Sequence, residues 1–202
     1  MIALARKTVL YEWRRFLPVV LAVGFAGVLL VVQAALVLGI FGASAVYIKM
    51  SSADLWAGYP GTQSVNFGRV VSADTEMLLR MDDQVTQTEA YQWVDGEWAS
   101  DSAEKGSVSI YLSGISTRPD ALMFDHVLSP QMRARLREPG SVIIDSADEE
   151  SLGLRDGAGR AWINGQPVRV VAVVSGLRGL GGVNVLASLD TARSIAGSGR
   201  DQ

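Results

Sequence analysis

The chain contains no cysteine and only one histidine, His126, among its 202 residues. The absence of cysteine excludes disulfides, thiol nucleophiles and thiolate metal sites. Zinc sites use three or four His, Cys or acidic ligands, so a single histidine argues against one. We therefore predict that this chain holds no metal and no cofactor of its own.

The sequence also lacks the motifs of nucleophilic catalysis. No Gly-x-Ser-x-Gly elbow occurs, and Asp125, His126 and Ser129 are sequence neighbours, which rarely converge on one reacting atom. The acidic run at 148–150 lacks the alternating pattern of a calcium loop, and we interpret it as a solvated loop or a helix start. The prediction is a protein that is not an enzyme and has no catalytic residues.

A glycine-rich stretch at 176–182, GLRGLGG, invites comparison with phosphate-binding loops. It has no Gly-Lys-Ser/Thr and does not complete Gly-x-Gly-x-x-Gly, so it matches neither nucleotide-binding pattern. We interpret it as a mobile loop in which Gly179, Gly181 and Gly182 contact a partner.

Charged residues are absent from all thirty-three positions of 16–48, between Arg15 and Lys49. A helix rises about 1.5 Å per residue, and a bilayer core is about 30 Å thick, so this run is long enough for one crossing. The small residues at 43–45 fit a signal-peptide cleavage site, but secretory apolar regions have only about 7–15 residues. We therefore favour a retained transmembrane helix over a cleaved signal.

The charges on either side of this run have opposite sign. Residues 1–15 carry four basic residues and one acidic residue, and residues 49–202 carry fourteen basic and twenty acidic residues. Basic flanks favour the cytoplasm, so we predict a cytoplasmic amphipathic segment over 1–15, a transmembrane helix over 16–48 and an extracytoplasmic domain over 49–202. The acidic domain argues against nucleic acid as a partner.

Two features refine the membrane segment. Residues 1–15 have a basic and apolar pattern typical of a helix lying on the bilayer surface, with a flexible basic tail as the alternative, and Pro18 is predicted to start a new helix after a bend. Ala35, Gly39 and Ala43 recur at every fourth position, where small residues allow close helix packing in lipid. The alternative is that glycine and alanine are simply common in membrane helices.

The segment after Lys49 has a mixed α+β pattern. Ser72 is predicted to cap a helix over 73–85 with a buried face of Met77, Leu78, Met81 and Val85. Turns are predicted at Asp95-Gly96 and Asn164-Gly165, between hairpin strands. The other predicted strands cover 53–59, 64–71, 108–115, 141–145 and 183–187, and further short helices begin at Ser129 and Ser188.

Aromatic residues cluster in two places, Trp56 with Tyr59, and Tyr91 with Trp93 and Trp98. Core packing is the first interpretation, because aromatic rings dominate buried area. If exposed, these rings would form a contact patch for a partner or an apolar ligand. Trp56 and Tyr59 therefore join the loop glycines as candidate partner contacts.

The order of several motifs resembles the N-terminal half of FtsX-like and MacB-like ABC transporter permeases, most closely the DevC-type members. The matching stretches are RRFLP at 14–18, LGIFG at 38–42, DLWAGYPGTQS at 54–64, AWINGQPVRVV at 161–171 and GLRG at 176–179. The resemblance implies an α+β fold, with one N-terminal transmembrane helix followed by a MacB-like periplasmic core domain.

This resemblance also implies a function and partners. The expected protein is the membrane subunit of an ABC transporter in a bacterial inner membrane, which exports or extracts an amphipathic substrate by mechanotransmission. A separate cytoplasmic ATPase subunit would use ATP, and a second permease copy and a periplasmic adaptor protein would complete the assembly. The three later transmembrane helices of such permeases are missing, so we expect this chain to be a fragment or a truncated product.

Two other functions remain open from the sequence. The first is a membrane-tethered extracytoplasmic binding or regulatory domain, FtsX-like, that acts on a partner protein. The second is an anchored hydrolase, which the missing catalytic set disfavours.

Overall fold

The chain divides into two compact units, Met1–Gly42 and Ala43–Gln202, which we call the helix unit and the barrel unit. The computed structural model describes residues 11–62, 69–101, 106–154, 159–179 and 181–198. Most of the predicted surface helix over 1–15 lies outside these residues.

The helix unit consists of helix α1, Trp13–Ser44, whose last two residues already belong to the barrel unit. Its segment Trp13–Gly42 is the one helix among the described residues that is long and apolar enough to cross a membrane, and its most apolar part is entirely unburied. Pro18 lies inside this helix, so the predicted helix start at Pro18 is wrong. Proline lacks one backbone N–H donor, and the helix continues through this position for a total of 32 residues.

The barrel unit is built on six strands that form a closed barrel. The strands are β1 Gln92–Ser100, β2 Val108–Ile115, β3 Ser141–Asp145, β4 Ala161–Ile163, β5 Gln166–Val174 and β6 Val183–Ser188. Their order around the barrel is β1-β2-β6-β3-β5-β4, and β4 pairs with β1 to close it. The pairs β2–β6 and β3–β5 are parallel, and the other four are antiparallel.

The barrel interior holds the main hydrophobic core. Alternate residues of each strand point inward, as the two-residue period of a strand requires, and include Ile110, Leu112, Val142, Ile144, Ile163, Val168, Val183 and Val185. Helix α5, Leu189–Ser198, adds Ala192 and Ile195 to this core. Each fully buried aliphatic side chain of this kind stabilises a fold by about 1.5–3 kcal/mol.

Strand β1 runs through Asp95-Gly96 without turning, so the hairpin predicted at this dipeptide is wrong. Gly96 faces the crowded barrel interior, where an added Cβ would lie 3.0 Å from Cγ2 of Ile163 and 3.3 Å from Cγ1 of Ile110. A glycine is therefore found at position 96 because the barrel interior has no room for a side chain there. The Asp-Gly turn signal in the sequence cannot reveal this.

Several local predictions are confirmed by the structure. Strands β2 and β3 have the predicted bounds, and the short helix α4, Pro130–Arg135, begins after Ser129. The turn between β4 and β5 places Asn164 and Gly165 at φ values of 50° and 76°. This left-handed pair is the conformation that Asn-Gly favours in two-residue hairpins.

A second core covers the outside of the barrel wall. Ile115, Ile143 and Leu186 point outward from their strands and pack with buried side chains of the β2–β3 connection, chiefly Phe124, Leu128 and Leu136. The short helix α2, Val46–Lys49, adds Tyr47 to the same core. The wall between β2 and β3 is therefore buried on both faces.

Residues 53–88 form a segment that leaves the barrel and returns to it, and we call this segment the arm. The structure describes residues 53–62 and 69–88 of it. The backbone N–H of Ser52 donates to the carbonyl of Leu122 at 3.1 Å, and the Glu89 carboxylate accepts hydrogen bonds from the N–H groups of Leu122 and Met123. Both ends of the arm are thus fixed at the same point of the β2–β3 connection. The predicted strand at 53–59 is wrong, and most of the one at 64–71 lies outside the described residues.

The arm contains helix α3, Ala73–Arg80, which is capped by Ser72 as predicted but ends earlier. Its predicted buried face is wrong, because Met77, Leu78 and Met81 are exposed and Val85 is only half-buried. The periodicity correctly indicates one apolar face, but the arm carries that face away from the barrel core.

Candidate functional site

Aromatic rings line the outer surface of the barrel wall. Tyr47 contacts Trp93 edge-on at 5.0 Å between ring centroids, and Trp93 contacts Tyr111 at 4.6 Å. Trp56, from the base of the arm, meets Tyr91 edge-on at 5.7 Å. We call these five residues the aromatic wall. Tyr47 is buried and the other four are half-buried. Among the aromatic residues predicted to pack in the core, only Trp98 is fully buried, inside the barrel, and Tyr59 is exposed.

A polar chain runs beneath these rings. The hydroxyl of Tyr91 lies 2.8 Å from Oγ of Ser113, which donates to Oδ1 of Asn184 at 2.8 Å. Burial raises the pKa of Tyr91, partly offset by its hydrogen bond to Ser113. The phenol therefore remains protonated at neutral pH and acts as a hydrogen-bond donor.

The glycine-rich loop at 176–182 lies directly over the aromatic wall, although Leu180 is outside the described residues. A Cβ added to Gly179 would lie 3.0 Å from the hydroxyl oxygen of Tyr47, and one added to Gly181 would lie 2.6 Å from Cε2 of Tyr111. Glycine is thus required here for close approach of the backbone to a ring. The contact partners found for these two glycines are the chain's own tyrosines.

Two buried acids hold the start of this loop. The Asp145 carboxylate accepts hydrogen bonds from the backbone N–H groups of Leu177 at 2.6 Å and Arg178 at 3.1 Å. Nε of Arg178 lies 3.5 Å from Oδ1 of Asp148, whose side chain is fully buried. Burial raises the pKa of Asp148, while Arg178 opposes that shift and Asp145 adds to it.

The sequence prediction did not identify these three loop-holding residues. Asp148 was assigned to a solvated acidic run, yet it is buried at the end of the 3-10 turn Ser146–Asp148. Asp145 ends a buried strand and lies 33 residues before Arg178. No local sequence signal indicates that these two residues are in contact, because their proximity depends on the order of the strands in the barrel. The assignment of Asp148 to a solvated run is therefore wrong.

The remaining candidate contacts occupy different places. Tyr59 is exposed on the arm, where the guanidinium of Arg69 lies 5.5 Å from its ring centroid. Gly182 is half-buried, forms a bridge with Gly179 and has a φ of 114°. The structure brings the loop glycines to the aromatic wall, and leaves Tyr59 among the exposed residues of the arm. Their contact with a partner protein stays a prediction.

The predicted helix-packing face also stays a prediction. Ala35 and Gly39 are exposed on α1, and an added Cβ at Gly39 would meet nothing within 4 Å. Ala43 continues the same four-residue spacing along the helix. At Ala35 and Gly39 the face is thus open to another helix, as small residues in membrane segments often are.

The described residues contain no cluster of three or more His, Cys, Asp or Glu side chains placed to hold a metal ion. His126 is exposed, with Nε2 3.8 Å from Oδ1 of Asp125. An open depression of about 430 Å³ lies over β1 and β2, lined in part by Asp95, Glu97 and Tyr111. Both carboxylates there are exposed, unlike the buried groups typical of an active site.

No protein-family model and no curated protein sequence matches this chain. Among solved structures, it is similar to the extracellular domain of the noncanonic ABC-type transporter YknZ from Gram-positive bacteria, with 18% identity and a TM-score of 0.44. That match covers 61% of this chain and 65% of the YknZ domain, so this chain spans less than two thirds of its length. The periplasmic region of MacB from Actinobacillus actinomycetemcomitans matches with 13% identity and a TM-score of 0.43, over 71% of this chain and 69% of that one.

The structural neighbours are thus the extracytoplasmic parts of YknZ and MacB. MacB is also a protein that the sequence resemblance names. An N-terminal apolar helix precedes a mixed α/β domain, as the sequence indicated.

Proposed function

We propose that this chain supplies the first transmembrane helix and the extracytoplasmic domain of an ABC transporter permease subunit. The observation that carries the proposal is the unburied apolar segment Trp13–Gly42 immediately before a folded barrel unit. Exposed apolar area costs about 25 cal/mol per Å² in water, so a helix with this surface is stable only inside a bilayer or against other apolar helices.

The proposed orientation follows from charge. Arg14 and Arg15 precede the apolar run, and the residues from 49 onward carry a net charge of −6, from fourteen basic and twenty acidic residues. Basic residues flanking a first span favour the cytoplasmic side. The N-terminus would lie in the cytoplasm and the barrel unit on the outer side of a bacterial inner membrane.

The proposed mechanism is mechanotransmission without catalysis by this chain. A cytoplasmic ATPase subunit would use ATP, and a second permease copy would pair with this one through the face of Ala35, Gly39 and Ala43. The barrel unit would meet an adaptor protein and an amphipathic substrate for export or extraction. The sequence resemblance supports these roles.

Protease protection tests the orientation. In intact spheroplasts, added protease should digest the barrel unit, and in inside-out vesicles it should spare that unit. A reporter active only outside the cytoplasm should work after Gln202 and fail before Met1. Recovery of the chain in the soluble fraction after carbonate washing would contradict the membrane anchor.

Co-purification tests the transporter assignment. The natural protein, tagged and extracted in mild detergent, should bring down an ATPase subunit in fixed proportion, and the ATPase activity should depend on both proteins. An intact membrane protein that recovers an outer-side enzyme and no ATPase would instead favour the tethered regulatory domain.

A further inference from the structure

The exposed apolar side chains of the barrel unit are concentrated in one segment. Apart from Ile48, every exposed large apolar residue in the described part of this unit belongs to the arm: Leu55, Tyr59, Val70, Met77, Leu78, Leu79 and Met81. From residue 82 onward the described residues include none. Exposure limited to one segment in this way is typical of a contact surface.

Helix α3 supplies the centre of this surface. Met77 and Leu78 are each 67% exposed and Met81 is 71% exposed. Their spacing places them on one side of a helix. Methionine is flexible and polarizable, and it is frequent at surfaces that adapt to a partner.

The arm is strongly acidic around this face. Residues 53–88 contain five acidic residues and two basic ones, a net charge of −3. One of the two basic residues, Arg80, is already engaged, since its guanidinium lies 2.6 Å from Oε1 of Glu76 and also donates to Thr88. Asp82 and Asp83 follow Met81, the C-cap residue of the helix, and are exposed.

The arm is also fixed at its base, so its helix is displayed at a defined place. Ser52 bonds to Leu122 at the start, and Gln87 donates to the carbonyl of Asp120 at 2.9 Å near the end. Trp56 packs edge-on against Tyr91 of the barrel. A fixed base reduces the entropy lost when a partner binds.

We propose that helix α3 is a docking helix for a second protein, whose contact surface is an apolar groove bordered by lysine and arginine. An exposed apolar face could contact a lipid surface, a second copy of this chain or another protein, and charge favours another protein. Anionic lipid headgroups would be repelled by a net charge of −3, and a second copy of this arm would repel it equally. A groove with basic borders matches both the apolar face and its acidic surroundings. The proposal goes beyond the function proposed above, because it assigns a docking surface on the arm and does not require an ATPase subunit.

Photo-crosslinking in intact cells provides the first test. A benzophenone amino acid replaces Met81 in the full chain, and a control chain carries it at Gln166, which is exposed in strand β5. Irradiation should yield an adduct with one protein at Met81 and no such adduct at Gln166. Adducts with lipid, adducts with a second copy of this chain, or the absence of any adduct would overturn the proposal.

Affinity measurement with the crosslinked protein provides the second test. After its identification by mass spectrometry and purification, it should show a basic, apolar surface and bind the full chain with an affinity that falls as salt rises. The triple variant Met77→Ser, Leu78→Ser and Met81→Ser should bind about tenfold or more weakly. Its melting temperature should not change, because all three side chains are exposed. Equal binding by the triple variant, or binding that is insensitive to salt, would overturn the proposal.

Discussion

Burial disfavours the charged form of Glu89, a glutamate at the base of the arm. Its carboxylate accepts hydrogen bonds from the backbone of Leu122 and Met123, yet burial raises its pKa against the opposing effect of those bonds and of Arg133. A group with a raised folded pKa contributes stability that is fully present below its unfolded pKa, about 4.3 for glutamate. That contribution is lost as pH rises through the folded pKa.

We therefore expect Glu89→Gln to become more favourable, relative to the natural chain, as pH rises. The amide oxygen keeps the acceptor for Leu122 and Met123, and the substitution removes the charge that burial disfavours. Thermal unfolding of both proteins in detergent between pH 4 and pH 8 measures the difference. A natural chain that gains stability over Glu89→Gln as pH rises would contradict the assignment.

Arg178 and Asp148 form a pair in which only one partner is exposed. Asp148 is fully buried and Arg178 is the cation beside it. Arg178→Gln should destabilise the barrel unit by about 1–3 kcal/mol, because it leaves a buried carboxylate without a charge partner. Adding Asp148→Asn should recover most of the loss.

Denaturation of the two single variants and the double variant forms the cycle that measures this coupling. The matched control is Arg193→Gln, whose partner Asp190 is exposed in α5, and which should have little effect. Additive effects of Arg178→Gln and Asp148→Asn would show that the two groups do not interact.

Helix α5 and strand β2 pack closely at Gly114. A Cβ added to Gly114 would lie 2.7 Å from Cβ of Ala192, which is buried. Gly114→Ala should therefore cost about 1–3 kcal/mol, since a packed core resists added volume. Adding Ala192→Gly should restore part of this loss, limited by the lower helix propensity of glycine.

Calorimetric or denaturant unfolding of the three variants tests this contact. Gly197→Ala, in the same helix with nothing within 4 Å of an added Cβ, serves as the control and should be neutral or slightly stabilising. A Gly114→Ala protein as stable as the natural chain would mean that α5 moves freely against β2.

The elements also show which signals in the sequence were sufficient. Strands β2 and β3 and the β4–β5 turn were predicted because their signals are local: apolar residues between turn residues, and an Asn-Gly pair. Asp95-Gly96 gave the same local signal for a different reason, the interior space that Gly96 leaves for Ile110 and Ile163. Only the surroundings of the glycine distinguish the two cases.

The burial predicted for helix α3 is wrong, and the partner contacts predicted for the loop at 176–182 stay a prediction. The sequence predicted α3 from its period and cap, but burial of Met77, Leu78 and Met81 depended on an element to pack against. The loop glycines were predicted to meet a partner, and the structure places Gly179 and Gly181 against Tyr47 and Tyr111. Both outcomes depend on contacts distant in sequence, which composition does not encode.

At the scale of the whole molecule, the apolar helix and the mixed α/β domain could be predicted, whereas barrel closure could not. The apolar run, the charge asymmetry and the α+β pattern are properties of composition and spacing. The parallel pairs β2–β6 and β3–β5 join strands that are separated by other elements. Such pairing is set by the three-dimensional packing of the complete domain.

The small-residue face of α1 leads to a prediction for the assembled protein. Replacing Ala35, Gly39 and Ala43 with leucine should reduce self-association in detergent several-fold, because close approach of two helices needs small side chains. Energy transfer between two labelled copies measures this association. Ala26→Leu is the control and should associate normally, because Ala26 lies about two and a half turns before Ala35 and so on the opposite face of the same helix. Equal energy transfer from the triple variant would exclude this face as the contact.

Closure of the barrel limits the ways in which the barrel unit can bind a partner. Each of the six described strands has a paired neighbour on both sides, so none is an edge strand to which an incoming peptide could add along its whole length. We therefore expect recognition to depend chiefly on side chains displayed by the connections between strands. Such segments can change their residues with little cost to the barrel, so related proteins could acquire new binding preferences while keeping the same scaffold.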